Sequence, residues 1–355
     1  MKRFERFLRI MKQTPGQRYA LATIIHVEGS AYRKVGARMM FSEDDILYGT
    51  ISAGCLEEDL SYWAKDVIRS NRSFIKRYDL RSEDDTGWGE GTGCNGKIDV
   101  LLEPVRWQEE SFSYQPILAA LSGGKKIASV RGVGQYAEGM KLFITENGDV
   151  LGQTGMKPSI LAHHVKIQLN RLFTEKQPIH YEAMPELESG FVFERYESRD
   201  ILYLFGAGPD VEPVVTLADQ MEFHTIIIDP RSERCSRTYF PRAGGFIVEQ
   251  PETVFRTQTI RPDHYVLIMT HSFQKDRKLL HYFLDHPPAY LGILGSKSRA
   301  NRLAAPKQLP DWVHSPVGLA IGAEGAEEIS ISIMAQLIQA RVKRRTFSKE
   351  KHSLL

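Results

Sequence analysis

The sequence predicts an α/β protein, with a doubly wound parallel sheet in its C-terminal half preceded by a smaller, mixed α/β N-terminal domain. Three observations lead to this prediction. In the second half, near-continuous apolar runs alternate with stretches of helical spacing, as in buried parallel strands joined by crossover helices. In the first half, shorter β-branched runs are separated by glycine-rich and acidic turns. The length of 355 residues is sufficient for two cores.

The first half begins with MKRFERFLRIMKQ, which predicts a short amphipathic helix rather than a signal peptide because it has no uninterrupted apolar core. Apolar and β-branched runs then predict strands at 18–29, 37–42, 45–52, 74–80, 97–104, 125–134 and 190–196, and a strand pair with an Asn-Gly turn at 140–152. Helical spacing predicts helices over 56–69, 112–122 and 158–173. No internal repeat is visible in the sequence.

The second half has a more regular alternation. Strands are predicted at 201–208, 224–230, 264–272 and 289–296, and helices at 211–221, 274–284, after 295 and at 324–341. Residues 182–190, with Pro185, are the best candidate linker. We therefore expect an N-terminal domain over 1–185, a Rossmann-like domain over 186–345 and a basic, disordered tail over 346–355.

Composition excludes several classes of protein. The chain is 42% hydrophobic and 25% charged, which is typical of a soluble globular protein. Its net charge of +2 arises in residues 341–355, which carry six Lys/Arg and one Glu, so the remaining body has a net charge of −3 and offers no broad basic surface to a nucleic acid. Three cysteines imply neither a disulfide framework nor structural zinc. Since no apolar run is long enough for a membrane span, a cytoplasmic location is expected.

A turn typical of dinucleotide-binding folds follows the first strand of the second half. Gly206 and Gly208 lie between a predicted strand and a predicted helix, and Asp229 ends the next strand. In a Rossmann unit the glycines let the backbone approach a pyrophosphate, and the acidic residue binds a ribose hydroxyl. Asp210 opposes a phosphate at this helix start, whereas Arg231 could offset it or accept a 2′-phosphate. Nucleotide binding and a purely architectural Rossmann unit both stay open.

A second candidate anion site follows a later strand. Ser296, Lys297 and Arg299 open a predicted helix, where free N–H groups meet two cations. The alternative is an ordinary helix cap with solvated side chains. His271 lies at the carboxyl end of the neighbouring strand and is expected to face the same crevice. The glutamates at 324, 327 and 328 are expected to complement the dipole of the last helix.

Cations and thiols occur together in the first half. Arg33 and Arg38, with a lysine between them, form one basic loop–strand corner. Cys55 lies at the predicted start of a helix, where the dipole favours a thiolate, and Cys94 lies in the glycine-rich segment TGWGEGTGCNG. These thiols suit sulfur chemistry or a soft metal. The alternative is that each is a small buried apolar residue. Cys235 has no comparable setting.

Several blocks together resemble the XdhC/CoxI family of xanthine dehydrogenase accessory proteins. They are GSAYRKVGARM at 29–39, GTISAGCLEED at 49–59, and YLFGAG, IIDPR, MTHSFQKD, YLGILGSKSR and PVGLAIGAEGAEEISISIMAQLI between 203 and 338. The resemblance covers about two-thirds of the chain in order. The sequence departs from the family pattern at Ala53, where a glycine is frequent, and at Pro209-Asp210, where a histidine and a small residue are common.

The resemblance implies a chaperone-like protein that binds molybdenum cofactor (molybdopterin), supports its sulfuration and delivers it to an apo-xanthine dehydrogenase-type molybdoenzyme. It implies a maturation factor rather than an enzyme that converts a metabolite. Arg33, Arg38, Cys55 and Cys94 then become candidates for the pterin–molybdenum end, the two thiols in a catalytic role or near molybdenum. A cysteine desulfurase is an implied partner, and a homodimer is the default oligomeric state.

Two other functions stay open on the residues alone. One is an NAD(P)-dependent oxidoreductase that uses the Rossmann half, although no Tyr-x-x-x-Lys pair follows the Rossmann unit. The other is a regulatory module whose crevice senses a nucleotide. A xanthine dehydrogenase itself is not expected, because the iron–sulfur cysteine clusters are missing from the sequence.

Overall fold

The computed structural model describes residues 4–43, 47–52, 54, 56–81, 95–155, 161–174, 178–184 and 188–351. The chain divides into two compact units, unit 1 at Met1–Ser198 and unit 2 at Arg199–Leu355. This division lies after Ser198 instead of near residue 185, because the strand at 189–196 pairs with strands of unit 1.

Unit 1 contains four helices, two five-stranded sheets and a small hairpin within the described residues. The helices are α1 (Phe4–Gln13), α2 (Glu57–Ser70), α3 (Gln115–Ser122) and α4 (Leu161–Leu172). The strands are β1 (Arg18–Ser30), β2 (Arg38–Ser42), β3 (Leu47–Gly49), β4 (Phe74–Asp79), β5 (Asn95–Arg106), β6 (Gln108–Glu109), β7 (Phe112–Ser113), β8 (Ile127–Gly134), β9 (Lys141–Thr145), β10 (Val150–Thr154), β11 (Ile179–Met184) and β12 (Ser189–Tyr196).

The two five-stranded sheets of unit 1 have the same topology. The first has the order β3-β2-β1-β5-β4 and the second the order β10-β9-β8-β12-β11, and all neighbouring strands are antiparallel. In each sheet a helix, α2 or α4, connects the third strand to the fourth. Unit 1 is therefore a topological repeat that the sequence does not reveal.

These elements form four layers: helix, sheet, sheet and helix. α2 packs on one face of the first sheet through Leu60, Ala64 and Val67, and α4 packs on the second sheet through Val165 and Leu169. The other faces of the sheets meet each other, together with α1 and α3. Side chains alternate between the two faces of each strand, so one face of a sheet packs against its helix while the other packs against the facing sheet.

The segment 182–190 is a hairpin rather than the predicted linker. β11 and β12 pair antiparallel, with Glu182 opposite Phe191 and Met184 opposite Ser189. Residues 185–187, which include Pro185, lie outside the described residues. Pro185 suggested a linker, but the antiparallel pairing gives the flanking residues ladder partners.

Unit 2 is a six-stranded parallel sheet with helices on both faces, which confirms the predicted fold class. Its strands are β13 (Asp200–Phe205), β14 (Phe223–Ile228), β15 (Gly245–Ile247), β16 (Tyr265–Ile268), β17 (Tyr290–Ile293) and β18 (Val313–His314), in the order β15-β14-β13-β16-β17-β18. Its helices are α5 (Val211–Gln220), α6 (Phe273–Asp285), α7 (Lys297–Ala304) and α8 (Gly325–Lys351). α5 and α8 cover one face, and α6 and α7 the other.

The last helix is longer than predicted. α8 continues to Lys351, so the part of the expected disordered tail over 346–351 is helical, and 352–355 lie outside the described residues. Arg344 contacts Asp200 at 3.1 Å and donates to the Asp263 carbonyl oxygen at 2.6 Å. These contacts hold α8 against the sheet beyond the predicted end at 341. None of the helices in the described part of the chain combines the length and apolar character needed to span a membrane.

Candidate functional site

The carboxyl edge of the unit 2 sheet has a topological switch point between β13 and β16. The chain leaves β13 for β14 on one side, whereas β16 lies on the other side. Ligands of open parallel α/β sheets bind in the crevice that forms at such a point. The predicted cofactor-binding residues of unit 2 lie in the loops after β13, β14, β16 and β17 or in the first turn of α7.

Glycine is required at the first position of the turn after β13. Gly206 has φ of +118°, and a Cβ there would lie 2.3 Å from the carbonyl oxygen of Met269. A Cβ on Gly208 would lie 2.3 Å from Oδ1 of Asp210. Gly206 thus lets the turn approach the loop after β16 closely, while the Asp210 carboxylate lies over Gly208.

The carboxylate of Asp229 is already fully hydrogen-bonded. Its Oδ2 accepts from the Ala207 N–H at 2.9 Å and from Arg231 Nη2 at 2.8 Å, and its Oδ1 accepts from Arg231 N and Nε, both at 2.9 Å. Burial raises the pKa of Asp229, but these hydrogen bonds lower it more, and the pKa lies below its ordinary value. Because a carboxylate offers about four acceptor positions, a ribose hydroxyl would have to displace a donor.

Two carboxylates lie at the start of α5. Asp210 Oδ2 lies 2.9 Å from His271 Nε2, so this contact joins the loops after β13 and β16. Glu212 pairs with Arg234 at 2.6 Å, and Arg234 also donates to the Ala207 carbonyl oxygen at 3.0 Å. A phosphate at this helix start would meet Asp210 and Glu212, which disfavours the dinucleotide geometry.

A buried carboxylate connects the loop after β16 to α7. Asp276 is 2% exposed and accepts hydrogen bonds from Thr270 Oγ1 and from Arg299 Nη2, the latter at 2.7 Å. Thr270 Oγ1 in turn accepts from the Ser272 N–H at 3.1 Å. Arg299 is therefore committed to an ion pair inside unit 2, which leaves less of its charge for an anion.

The start of α7 combines a helix cap with one exposed cation. Ser296 Oγ accepts from the Arg299 N–H at 3.2 Å, which is the helix cap given above as the alternative to an anion site. Lys297 is exposed. At the start of α8, Glu328 accepts from the Glu324 N–H at 2.9 Å, as expected of a carboxylate near a helix N-terminus.

In unit 1, Arg38 lies in the core and not at a basic surface corner. Its guanidinium pairs with Glu194, which also pairs with Arg131 at 2.6 Å, and Arg131 pairs with Glu103. Arg38 is 2% exposed, so its guanidinium is held in a buried ion pair, whereas the sequence suggested a cofactor contact. Arg33, in contrast, lies half-buried in the loop between β1 and β2.

The loop before α2 is organised by the carboxylate of Glu57. Its Oε1 accepts from the N–H of Ser52 at 2.8 Å and of Ile51 at 3.3 Å, and its Oε2 accepts from the N–H of Gly54 at 3.2 Å and of Leu56 at 3.3 Å. Burial raises the pKa of Glu57, but these bonds and one from the Ser52 hydroxyl lower it more, so that the pKa falls below its ordinary value. Glu57 thus fixes the backbone on both sides of residue 55.

The two candidate thiols, Cys55 and Cys94, lie outside the described residues. Cys235 is buried, donates weakly to the carbonyl oxygens of Ile227 and Ile247, and has a pKa raised by its burial. Its setting is that of a packed core thiol.

Sequence reasoning missed Asp276, Glu57, Arg234 and Glu194, which connect the candidate residues to the rest of the fold. Asp276 lies four residues after Ser272, a spacing that places it in the first turn of α6. That spacing was a usable signal. Glu194 gave none, because its partners come from distant strands. Within the described residues, no cluster of three or more His, Cys, Asp or Glu could hold a metal ion.

Two family models match the chain. The model described as the XdhC Rossmann domain matches residues 202–337, and the model described as the XdhC and CoxI family matches residues 13–79.

Full-length relatives and a solved structure resemble the whole chain. A protein of Bacillus subtilis (strain 168), named as a probable xanthine dehydrogenase subunit, is 36% identical over 90% of this chain and 92% of its own length. The "Molybdenum cofactor insertion chaperone PaoD" of Escherichia coli (strain K12) is 22% identical over 92% of this chain and 85% of its own length. A crystal structure described as a xanthine dehydrogenase from Bacillus halodurans is 40% identical, covers 96% of both chains and superposes with a TM-score of 0.77.

Proposed function

The chain belongs to the XdhC and CoxI family, as its sequence motifs predicted, and from this membership we propose that it is an accessory protein of molybdoenzyme maturation. In this role it binds molybdenum cofactor as cargo, supports sulfuration of the cofactor and delivers it to a xanthine dehydrogenase-type apoenzyme. The main support is a relative that aligns over 92% of this chain and carries the name of a molybdenum cofactor insertion chaperone.

The unit 2 crevice supports this function over a dinucleotide-dependent oxidoreductase. Asp229 holds four hydrogen bonds from the protein, and Asp210 and Glu212 occupy the helix start where a pyrophosphate would bind. Both features oppose the ribose and phosphate contacts of a Rossmann enzyme. No hydride transfer to a metabolite is therefore proposed.

Seven of the candidate residues have a place in this proposal. Lys297, with the amides at the start of α7 and the Ser296 cap, would hold the phosphate of the cargo. The backbone of Gly206 and Gly208 would lie against the cargo. Cys55 and Cys94 would act as thiols at its molybdenum end, with Arg33 as a nearby cation.

The partners follow from the cargo. The apoenzyme accepts the cofactor, and sulfur reaches the thiols from a donor such as a cysteine desulfurase. In sulfuration this chain would contribute binding, orientation and exclusion of water, while the donor would supply the sulfur. The place of action proposed is the cytoplasm.

A cofactor-retention experiment tests the function. The purified chain would be mixed with molybdenum cofactor released from a molybdoenzyme, passed through a desalting column and assayed for co-eluting molybdenum and pterin fluorescence. We expect stoichiometric retention, reduced by Lys297→Ala and unaffected by Lys307→Ala, which removes an exposed lysine that pairs with Asp285. Tight binding of NADH or NADPH with no retained molybdenum would favour the oxidoreductase instead.

A further inference from the structure

The outward face of α8 carries apolar side chains where a solvent-facing helix ordinarily has polar ones. Ile331 and Val342 are 55% and 56% exposed, and Ala335 and Ile338 between them are half-buried. These four residues, which we call the α8 stripe, follow one another at intervals of four, three and four. Such spacing runs along one side of a helix and is that of a coiled-coil seam. The stripe is therefore suited to packing against a second helix.

The fold of unit 2 uses a different side of α8. Ile333, Met334 and Leu337 are buried in the core that α8 shares with α5 and the sheet. With about 3.6 residues per helical turn, Ile333 lies on the side of the helix nearly opposite Ile331. The stripe is therefore not needed to hold α8 on its own sheet.

Charge is distributed unequally along α8. Three glutamates are exposed around its start: Glu324, Glu327 and Glu328. Its last residues, RVKRRTFSKEK, carry six Lys/Arg and one Glu. Within this segment Lys343 is exposed, and Arg341 and Arg344 both pair with Asp200. One end of the stripe is thus acidic and the other basic.

We propose that the α8 stripe is the interface for a second copy of this chain, whose own α8 packs antiparallel along it. A two-fold rotation about an axis between Ala335 and Ile338 brings Ile331 of each copy opposite Val342 of the other. The acidic start of each helix then lies beside the basic end of the other. A parallel pair would bring like charges together at both ends, which is unfavourable. The face is complementary to itself, and this assigns it to a second copy of the chain.

The contact is short, and the association is correspondingly weak. Ile331 and Val342 are separated by about 16 Å along the helix axis. One helix from each chain buries less than the roughly 1,200 Å² of a standard stable interface. We therefore expect a dimer in equilibrium with the monomer, with a Kd in the micromolar range. This inference goes beyond the proposed function, and neither depends on the other.

Sedimentation velocity of the full chain between about 1 and 100 μM tests the association. The wild type is expected to shift from the 40.4 kDa monomer toward a dimer of twice that mass as the concentration rises. Ile331→Lys places a cation beside the basic end of the other copy, and Val342→Glu places a carboxylate beside its acidic start. We expect each variant alone to raise the Kd at least about tenfold, because like charges then face each other at a desolvated contact.

A mixture of the two variants determines the orientation of the helices. In a dimer with one chain of each kind, the introduced ammonium and carboxylate face each other, and the second contact keeps Ile331 opposite Val342. We expect the mixture to associate with a Kd within about threefold of wild type. A parallel pair predicts no such recovery, because positions 331 and 342 would never meet.

Ile167→Lys is the matched control, because Ile167 is an isoleucine of α4 that is 45% exposed. It should leave the Kd unchanged. The thermal unfolding midpoint checks the fold of each variant, and all three substitutions are at exposed positions. The α8 interface is overturned by a wild type that stays monomeric throughout the concentration range, or by a dimer that neither Ile331→Lys nor Val342→Glu weakens. Failure of the mixture to recover association overturns the antiparallel arrangement.

Discussion

Arg38 of β2 and Glu194 of β12 form an ion pair between the two facing sheets of unit 1, and their side chains are 1% and 0% exposed. The guanidinium also lies 5.3 Å from the ring centroid of Phe4 and 5.4 Å from that of Tyr196. Arg131 neutralises the second oxygen of Glu194. Buried charges of this kind require one another, because each alone would be desolvated without compensation.

Replacement of Arg38 is therefore expected to act on stability. In Arg38→Met the volume is nearly kept, but Glu194 loses one of its two cations in a buried place. We expect the free energy of unfolding to fall by about 3 kcal/mol, the range found when one partner of a buried ion pair is removed. Denaturant unfolding monitored by circular dichroism measures this change.

Arg33→Met is the matched control, because Arg33 precedes Arg38 by five residues but lies half-buried in a loop. We expect a change within about 0.5 kcal/mol, as for ordinary surface substitutions. If the two variants are equally stable and only Arg38→Met fails to retain the cofactor, the result would support the cofactor contact that the sequence suggested for Arg38.

The contrast between Arg33 and Arg38 shows what the sequence can predict. Glycine turns at strand ends and the apolar runs of unit 2 identify the doubly wound sheet, because each signal is local. The ion-pair partner of Arg38, Glu194, lies 156 residues further along the chain. The burial of Arg38 depends on the packing of two sheets whose shared topology leaves no visible sequence repeat.

The loop that carries Cys55 is organised by Glu57, and the proposed sulfuration depends on the two thiols. We expect Cys55→Ser/Cys94→Ser to abolish sulfur-dependent activation of an apo-molybdoenzyme, because serine is a far weaker nucleophile and metal ligand for sulfur chemistry. The fold should be kept, since serine is nearly isosteric. Activity of the reconstituted client, with the thermal unfolding midpoint as a check on folding, measures both.

Cys235→Ser is the control, because this thiol is buried and bonded to two backbone carbonyl oxygens. It is expected to leave activation unchanged and to alter only stability. Persistent activation by the double variant would exclude the thiol role, whatever the cofactor affinity.

The carboxylate of Asp229 already accepts four hydrogen bonds from the protein, so we expect it not to bind a ribose hydroxyl and the affinity for dinucleotides to be low. The wild type should bind NADH and NADPH no more tightly than about 1 mM, equivalent to roughly −4 kcal/mol. Arg231→Ala removes two of the four donors. We expect it to strengthen NADH binding several-fold, whereas Lys307→Ala should have no effect; calorimetric titration measures both. Micromolar binding by the wild type would contradict this account.

His264, at the opposite edge of the unit 2 sheet from the crevice, should make stability depend on pH. Burial lowers its pKa, with Arg261 and Arg344 adding to the effect and Asp263 opposing it. The unfolded chain therefore binds a proton that the folded chain resists. The contribution of His264 to the free energy of unfolding is fully present above the ordinary histidine pKa of about 6.5 and is lost as pH falls from there through the lower folded pKa.

In His264→Gln the side-chain carbonyl oxygen can still accept from the Arg261 N–H, which in the wild type donates to His264 Nδ1 over 3.1 Å. We expect a smaller loss of the urea midpoint between about pH 7 and 5 than in wild type. The exposed His286→Gln should keep the wild-type dependence, and an unchanged slope in His264→Gln would assign the titration to other groups, such as His314, whose pKa is also lowered by burial.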